Sequence, residues 1–325
     1  MASELHAIIV DGRPEHFDLI EAELQRLEQR WSRFVGTSDL TRINDAAGSA
    51  VAVDRSTLVL VETMIAAWRA TAGAYDPSIL PSLIANGYSA SHVDPAMRTV
   101  LPLQTVRIGG MASVRVDHEQ HTVCVPAGTA LDPGGIGKGL AADLVAAMIV
   151  ADGARGCLVS IGGDVGMAGA APDEHGWTIE VEQVEQVEQV EQVDAANADD
   201  SDLLALCRFV VSGGGVATSS TRSRRWVQAG QPRHHLIDPG TGHQSHTDLH
   251  AVTVIARSAW LAEAHATAAL LAGSGGVIAY LDAHDLSGLA VVADGSVLVT
   301  DDLAGVEMVT KASIHAAAVV AHSTS

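Results

Sequence analysis

The stretch Leu131–Asp143, LDPGGIGKGLAAD, constrains this chain more than any other. Ahead of it runs an extended segment, CVPAGTALDP, with apolar Val123, Val125 and Leu131, and behind it the composition predicts an Ala/Leu-rich helix over Leu140–Val150. A strand-like run that enters a glycine turn and leaves as a helix has the geometry of an anion site. Gly134, Gly135, Gly137 and Gly139 allow positive φ and close approach of a ligand to the backbone. Free N–H groups and the positive dipole end of the helix favour a phosphate, and Lys138 adds a mobile point charge. The competing reading is a tight turn whose glycines only avoid a clash, since GGIGKG lacks the GxxxxGK spacing of a P-loop.

Charge limits what such a site can serve. With 19 basic against 39 acidic residues the formal charge is −20, which argues against nucleic acid or an anionic membrane surface as partner. A phosphorylated ligand therefore needs a local cation, a lysine or a bound metal. At 325 residues and 47% hydrophobic the chain is globular with room for a sizeable core, and aromatics, at 3%, are scarce enough that each is a possible stacking surface. Cys124, Cys157 and Cys207 each sit in apolar sequence, the pattern of small buried hydrophobes in a reducing compartment rather than of a disulfide framework. No stretch reaches the length of a membrane span, and MASELHAIIVDG lacks the parts of a signal peptide in order. A cytoplasmic protein without membrane insertion is the expectation.

Along the chain, Leu5–Val10 reads as a strand and Pro14 to Phe34 as a helix with Leu19, Ile20, Leu24, Leu27 and Trp31 at helical spacing. Thr37 and Ser38 cap a short helix ending near Asn44, with Phe34 at the junction, in the core or in a cleft. Thr57–Ala72 is a third helix, closed by Gly73; beyond it Tyr75 and Asp76 precede Pro77 and either line a cleft or form a plain Asp-Pro turn. Three β-like segments, TVRIGG, ASVRVD and HTVCVP, lead into the glycine turn. GCLVSIGGDVGMAG is a buried strand ending in Gly162–Gly163–Asp164, a second ligand-facing turn or a bulge. An EQV repeat makes 182–202 a solvated, low-complexity acidic insertion between WTIEVE and CRFVVSGG. Hydroxyls from Thr218 to Thr221 stand beside Arg222, Arg224 and Arg225, followed by RHHLIDPGTG and the strand AVTVIA. In the helix AWLAEAHATAALLAG, Glu263 and Thr267 share a face, a pair suited to a hard cation, although a Glu near a helix start also serves the dipole. Helices alternating with runs of adjacent strands predict an α+β fold of mixed sheets with flanking helices.

Taken in order, SRFVGTSDLTRIN, GAYDPSILPSLIANGY, LDPGGIGKGLAAD, LVSIGGDVGMAG, VATSSTRSRRW, HHLIDPGTG and AEAHATAALLAG resemble the FAD:protein FMN transferase, or ApbE, family over most of Leu24–Gly273. The resemblance implies a single unit, 1–325, with two lobes and a ligand cleft between them. It also implies transfer of FMN from FAD to a Ser or Thr hydroxyl of an acceptor flavoprotein, releasing AMP, with Mg²⁺. Carried over, the metal site falls on Glu263, which replaces the family's aspartate, on Thr267 and on the carbonyl of Gly135, with Ala266 as a further backbone contributor. FAD contacts fall on Phe34, Ala74, Tyr75, Asp76, Asp132, Lys138, Leu236 and Ile237, and the motif histidine is His235. Phosphoryl transfer needs neutralised pyrophosphate charge and an in-line nucleophile, so a metal with Lys138 would supply the electrostatics and His235 would take the hydroxyl proton or orient the flavin. An FAD pyrophosphatase, with water as acceptor, and a flavin-binding protein without catalysis are the alternatives.

Overall fold

The structure, a computed structural model, describes residues 3–91, 94–102, 105, 109–182, 205–228, 230–304 and 307–308. The first half runs β1 (Leu5–Val10), α1 (Glu15–Trp31), α2 (Asp39–Asp45), β2 (Ala50–Ala52), α3 (Arg55–Ala70), α4 (Leu80–Ala85), β3 (Arg115–Asp117), β4 (Thr122–Cys124) and α5 (Gly137–Ala151). The second half runs β5 (Gly156–Ile161), β6 (Asp164–Gly169), β7 (Trp177–Glu182), β8 (Ala205–Val211), β9 (Gly214–Ser220), β10 (Arg225–Gln228), β11 (Gln231–His234), β12 (Leu249–Ala256), α6 (Ala259–Leu271), α7 (Val277–Ala283), β13 (Ser287–Val292), β14 (Val297–Val299) and β15 (Glu307–Met308). Of the low-complexity stretch, Glu182 closes β7 and 183–202 lies outside the described residues.

A seven-stranded sheet in the order β1-β5-β6-β9-β12-β13-β14 organises this α+β fold, and every described strand pairing is antiparallel. Side chains alternate between its faces, as the two-residue repeat of a strand requires. On one face Cys157, Val159 and Ile161 of β5 meet the helical core with Val145 and Ile149 of α5, while Val252 and Val254 of β12 meet Leu261 and Leu270 of α6. On the other face Leu158, Val165, Met167, Val216 and Leu289 pack against Trp177, Ile179 and Phe209 of the β7–β8 pair. The central strands are thus covered on both faces, and hydroxyls gather where Thr218, Ser219 and Ser220 end β9.

Small residues let the helices come close. A Cβ on Gly166 of β6 would stand 2.8 Å from the backbone of Ala142 in α5, and one on Gly215 of β9 would stand 2.1 Å from the Ala259 nitrogen in α6. A Cβ on Gly139 of α5 would lie 2.5 Å from the Ala259 carbonyl, so α5 and α6 are seated side by side at their N-terminal ends. Reciprocal capping holds them there. Asp143 of α5 accepts the N–H groups of Ala259 and Trp260 at 2.9 and 3.0 Å, and Glu263 of α6 accepts the N–H of Gly139 at 2.8 Å. Each helix lends a carboxylate to the other's positive end.

Two sequence expectations change here. GCLVSIGGDVGMAG is not one strand but the hairpin β5–β6, turning at Gly162 and Gly163, whose φ values of +57° and +86° suit a two-residue loop rather than a bulge. The glycines of the 131–143 stretch do not supply positive φ either. None of Gly134, Gly135, Gly137 and Gly139 is in that region, and at Gly134, Gly135 and Gly139 a side chain would meet a neighbour closer than 3 Å.

Candidate functional site

The glycine turn is fixed from two sides. The Asn44 amide, at the end of α2, donates to the Leu131 carbonyl at 3.0 Å and accepts from its N–H at 2.8 Å; next door the Asp132 N–H donates to the Pro77 carbonyl at 2.8 Å. So the RIN and AYDP stretches, far apart in sequence, hold the turn between them. At Gly135 a Cβ would approach the Tyr75 ring to 2.8 Å and the Thr267 hydroxyl to 3.6 Å, which places Gly135 against both. Only a residue without a side chain fits there.

Two adjoining cavities open around this turn. The inner one, about 230 Å³, is lined by Tyr75, Asp76, Asp132, Gly135, Lys138, Asp164, Thr218, Ser219, Arg224, His235, Leu236, Ile237, Glu263 and Thr267 among others. The outer one, about 350 Å³, shares Asp132, Gly134, Lys138, Tyr88 and Arg224 with it and adds Trp31, Arg33 and Phe34. Lys138 is the hinge of the inner cavity. Its ammonium ion-pairs with Asp164 and stands 3.4 Å from Glu263 Oε1. Burial pushes the Lys138 ammonium down and the Glu263 carboxyl up, while their mutual attraction opposes both shifts. Asp164 also accepts the Thr218 N–H at 3.4 Å, and Thr267 and Ser219 share a hydroxyl contact of 2.9 Å.

His235 lines the same cavity with its Nδ1 shut from solvent and without a hydrogen-bond partner. Burial first, then the positive charges of Arg224, His234 and Lys138, hold it well below the ordinary histidine value, so its imidazole is neutral. The Tyr75 hydroxyl is likewise buried and unpartnered, and burial with the nearby carboxylates Glu263, Asp132 and Asp76 keeps it protonated. Asp76 serves its own turn, Oδ1 accepting the Ser78 N–H at 2.8 Å and hydroxyl at 2.6 Å, and lines the cavity as well.

Aromatic rings wall the outer cavity. The Arg33 guanidinium lies 4.2 Å from the Phe34 ring centroid and 4.7 Å from that of Tyr88, and Tyr88 stacks on Trp226 at 5.2 Å. Arg33 Nε pairs with Asp132 at 3.1 Å, fixing the guanidinium between the rings. Phe34 is therefore half-exposed in a cavity rather than core.

Much of the helix start is already satisfied within the protein. The N–H groups of Ile136, Gly137, Gly139 and Leu140 are already bonded, to Pro133, Pro133, Glu263 and Ile136. Attraction for an anion draws also on the side chains of Lys138 and Arg224, which line both cavities. Glu263 does cap a helix, but that helix is α5 rather than its own. Ala74 and Ala266 line neither cavity; Ala266 packs its methyl into the apolar core beneath α6. Sequence reasoning did not single out Arg33 or Asp164 as site residues, although Asp164 was in view at the GGD turn. Arg33 left no signal beyond its place before Phe34.

For a divalent cation, the buried Glu263 Oε1, which has only the Lys138 ammonium at 3.4 Å beside it, the Thr267 hydroxyl and the nearby Gly135 backbone form an oxygen set of the kind hard cations take. Among the described residues no group of three or more His, Cys, Asp and Glu side chains is placed to hold a metal, so such an ion would lean on hydroxyl and backbone oxygens.

An α+β protein whose aromatic-walled outer cavity opens on an inner one lined by Lys138, Arg224 and four carboxylates has the build of a ligand-binding cleft with room for charged and flat groups together. The ApbE family model matches residues 1–292, and the chain belongs to the ApbE family. It is 29% identical over 286 residues to the FAD:protein FMN transferase of Treponema pallidum, covering 84% of this chain and 73% of that protein. Identity to the Vibrio cholerae FAD:protein FMN transferase is 25% over 276 residues, 84% of this chain and 78% of the other. Among solved structures, the ApbE protein of Thermotoga maritima superposes with a TM-score of 0.72 at 24% identity, covering 93% and 94% of the two chains. The flavin transferase ApbE from Vibrio cholerae gives 0.71 at 21%, covering 94% and 96%. These two share the fold.

Proposed function

We propose that this chain transfers the FMN moiety of FAD to a Ser or Thr hydroxyl of an acceptor flavoprotein, releasing AMP. The observation that carries the reading is the convergence of Lys138, His235, Glu263 and Thr267, from three distant stretches, on one cavity that runs on into an aromatic-walled second. The names of its relatives favour the same activity. In this reading the flavin lies in the outer cavity against Phe34 and Tyr88, the diphosphate lies at Lys138 and Arg224, and Leu236 and Ile237 give the inner cavity its apolar wall. Mg²⁺, held by Glu263, Thr267 and the Gly135 carbonyl, would supply Lewis-acid neutralisation of the diphosphate.

The acceptor oxygen attacks the phosphorus on the FMN side, the bond to the bridging oxygen breaks, and AMP departs with that oxygen. His235, held neutral, takes the hydroxyl proton. Lys138 balances the charge that moves onto the leaving phosphate. The ion pair between Asp132 and Arg33 holds the guanidinium against the Phe34 and Tyr88 rings, and the buried Tyr75 excludes water from the turn.

Purified protein is to be incubated with FAD and Mg²⁺, with and without an acceptor domain carrying the target hydroxyl. Covalent flavin fluorescence on the acceptor together with AMP is the expected result. AMP without labelled acceptor assigns hydrolysis instead, and FAD recovered unchanged in both arms overturns catalysis. A chelator arm tests the metal: labelling undiminished by EDTA removes Mg²⁺ from the scheme.

A further inference from the structure

A third cavity, about 530 Å³, lies between the β10–β11 hairpin, the segment before β12 and the end of β9, and shares no lining residue with the two described above. Arg222, Arg225, Arg233, His234, His246 and His250 line it, and among the described residues no Asp or Glu does. In a chain of formal charge −20, three arginines gathered in one cavity without a carboxylate in its lining are not a sample of the surface.

The arginines and histidines share space. Arg225 and His234 are register partners across the hairpin. Burial and then Arg225 and His246 push the His234 ring down to about 4, while burial and then Arg222 and Arg225 lower His250. None of the ion pairs among the described residues involves Arg225 or Arg233. Two lining residues also carry unmet polar atoms: Arg233 Nε and Gln244 Oε1 are shut from solvent with no hydrogen-bond partner. Like charges held together around unmet hydrogen-bonding groups cost stability unless a counter-ion completes them.

We propose that this cavity is a second anion site that takes a phosphate-class dianion, either inorganic phosphate or the phosphomonoester end of a small molecule. Guanidinium groups present paired N–H donors that match phosphate oxygens, and several of them offer more charge than one carboxylate neutralises. The volume leaves room beyond the phosphate for the group that carries it. The inference does not depend on the proposed transferase activity, because none of its residues belongs to that cleft.

Calorimetric titration of the full chain with inorganic phosphate, AMP and succinate tests it. Phosphate binding is expected in the wild type, weakened by about tenfold or more in Arg225→Gln and in His246→Gln, both exposed positions, with FAD binding unchanged. AMP binding more tightly than phosphate at this site identifies a phosphomonoester as the natural source; equal affinity identifies the free ion. The proposal is overturned if phosphate affinity survives both substitutions, if it is lost in Lys138→Ala alone, which moves the anion to the cleft, or if succinate binds as well as phosphate.

Discussion

At the scale of single residues the site is a balance of buried charge. Lys138 answers two buried carboxylates, Asp164 and Glu263, whose side chains are 1% and 5% exposed. Removing one partner from a buried cluster is costly because the others remain unpaired, by ~3–5 kcal/mol where the burial is complete. Lys138→Met is therefore expected to lower the thermal midpoint as well as to abolish FAD binding, and adding Glu263→Gln in the same chain should recover part of the stability without the binding. Melting curves of the single and double variants check this, and additive losses refute the cluster. Gly135 behaves differently, since it is defined by space. A methyl at Gly135 would stand 2.8 Å from the Tyr75 ring. Gly135→Ala should thus displace the Tyr75 ring and raise the FAD concentration needed for binding at least about tenfold, which fluorescence titration of FAD measures. An Ala variant that binds as the wild type does would show that the ring moves freely.

Helix-to-helix contacts set the geometry that those residues share. Asp143 caps α6 while Glu263 caps α5, so the two helices that bear Lys138 and Glu263 lock one another. Asp143→Ala removes two capping acceptors without touching the cavity, and a loss of about 1–2 kcal/mol in denaturant unfolding is expected. On its far side α6 presents His265, 3% exposed, whose Nδ1 lies 2.8 Å from the Tyr280 hydroxyl of α7, with the His284 ring tilted against both. Burial first, then His284 and Arg257, push His265 down to about 4 from 6.5. Between those values the unfolded chain binds a proton that the folded one refuses, so stability from this cluster is lost as pH falls through that window. Asp143 runs the opposite way: burial raises its carboxyl to about 6, the folded state takes the proton first, and its contribution improves as pH falls from about 6 toward 4. Comparing wild type with His265→Gln at pH 7 and 4.5 isolates the histidine. Wild type should lose more stability on acidification, and parallel losses in the two proteins would exclude His265 as the sensor.

For the whole molecule, FAD bridging elements from α1 to α6 should stabilise the fold as a unit, by about 2.7 kcal/mol at a hundredfold excess over Kd. A thermal midpoint that does not move with saturating FAD would place the ligand outside the cleft. Much of this architecture was legible in the chain. The strand Leu5–Val10 has the bounds the sequence reading expects, and the helices α1, α3, α5 and α6 fall within a few residues of their apolar runs, because the preference for helix or strand is written locally in side-chain type. Among the described residues no helix is long and apolar enough to cross a membrane. The antiparallel order β1-β5-β6-β9-β12-β13-β14 was not legible, since adjacency in a sheet depends on which distant strands bury each other's faces. By itself the sequence determined the types of chemistry available: a glycine turn with a lysine, a carboxylate and a hydroxyl one helical turn apart, and a histidine before LIDP. Only the tertiary structure decided what these groups do to one another. It spent several of the helix-start N–H groups on protein acceptors, gave Glu263 to the neighbouring helix, set Lys138 between Asp164 and Glu263, and brought in Arg33. Charge and hydrogen-bonding capacity belong to residue types, whereas partners are chosen by packing across hundreds of residues.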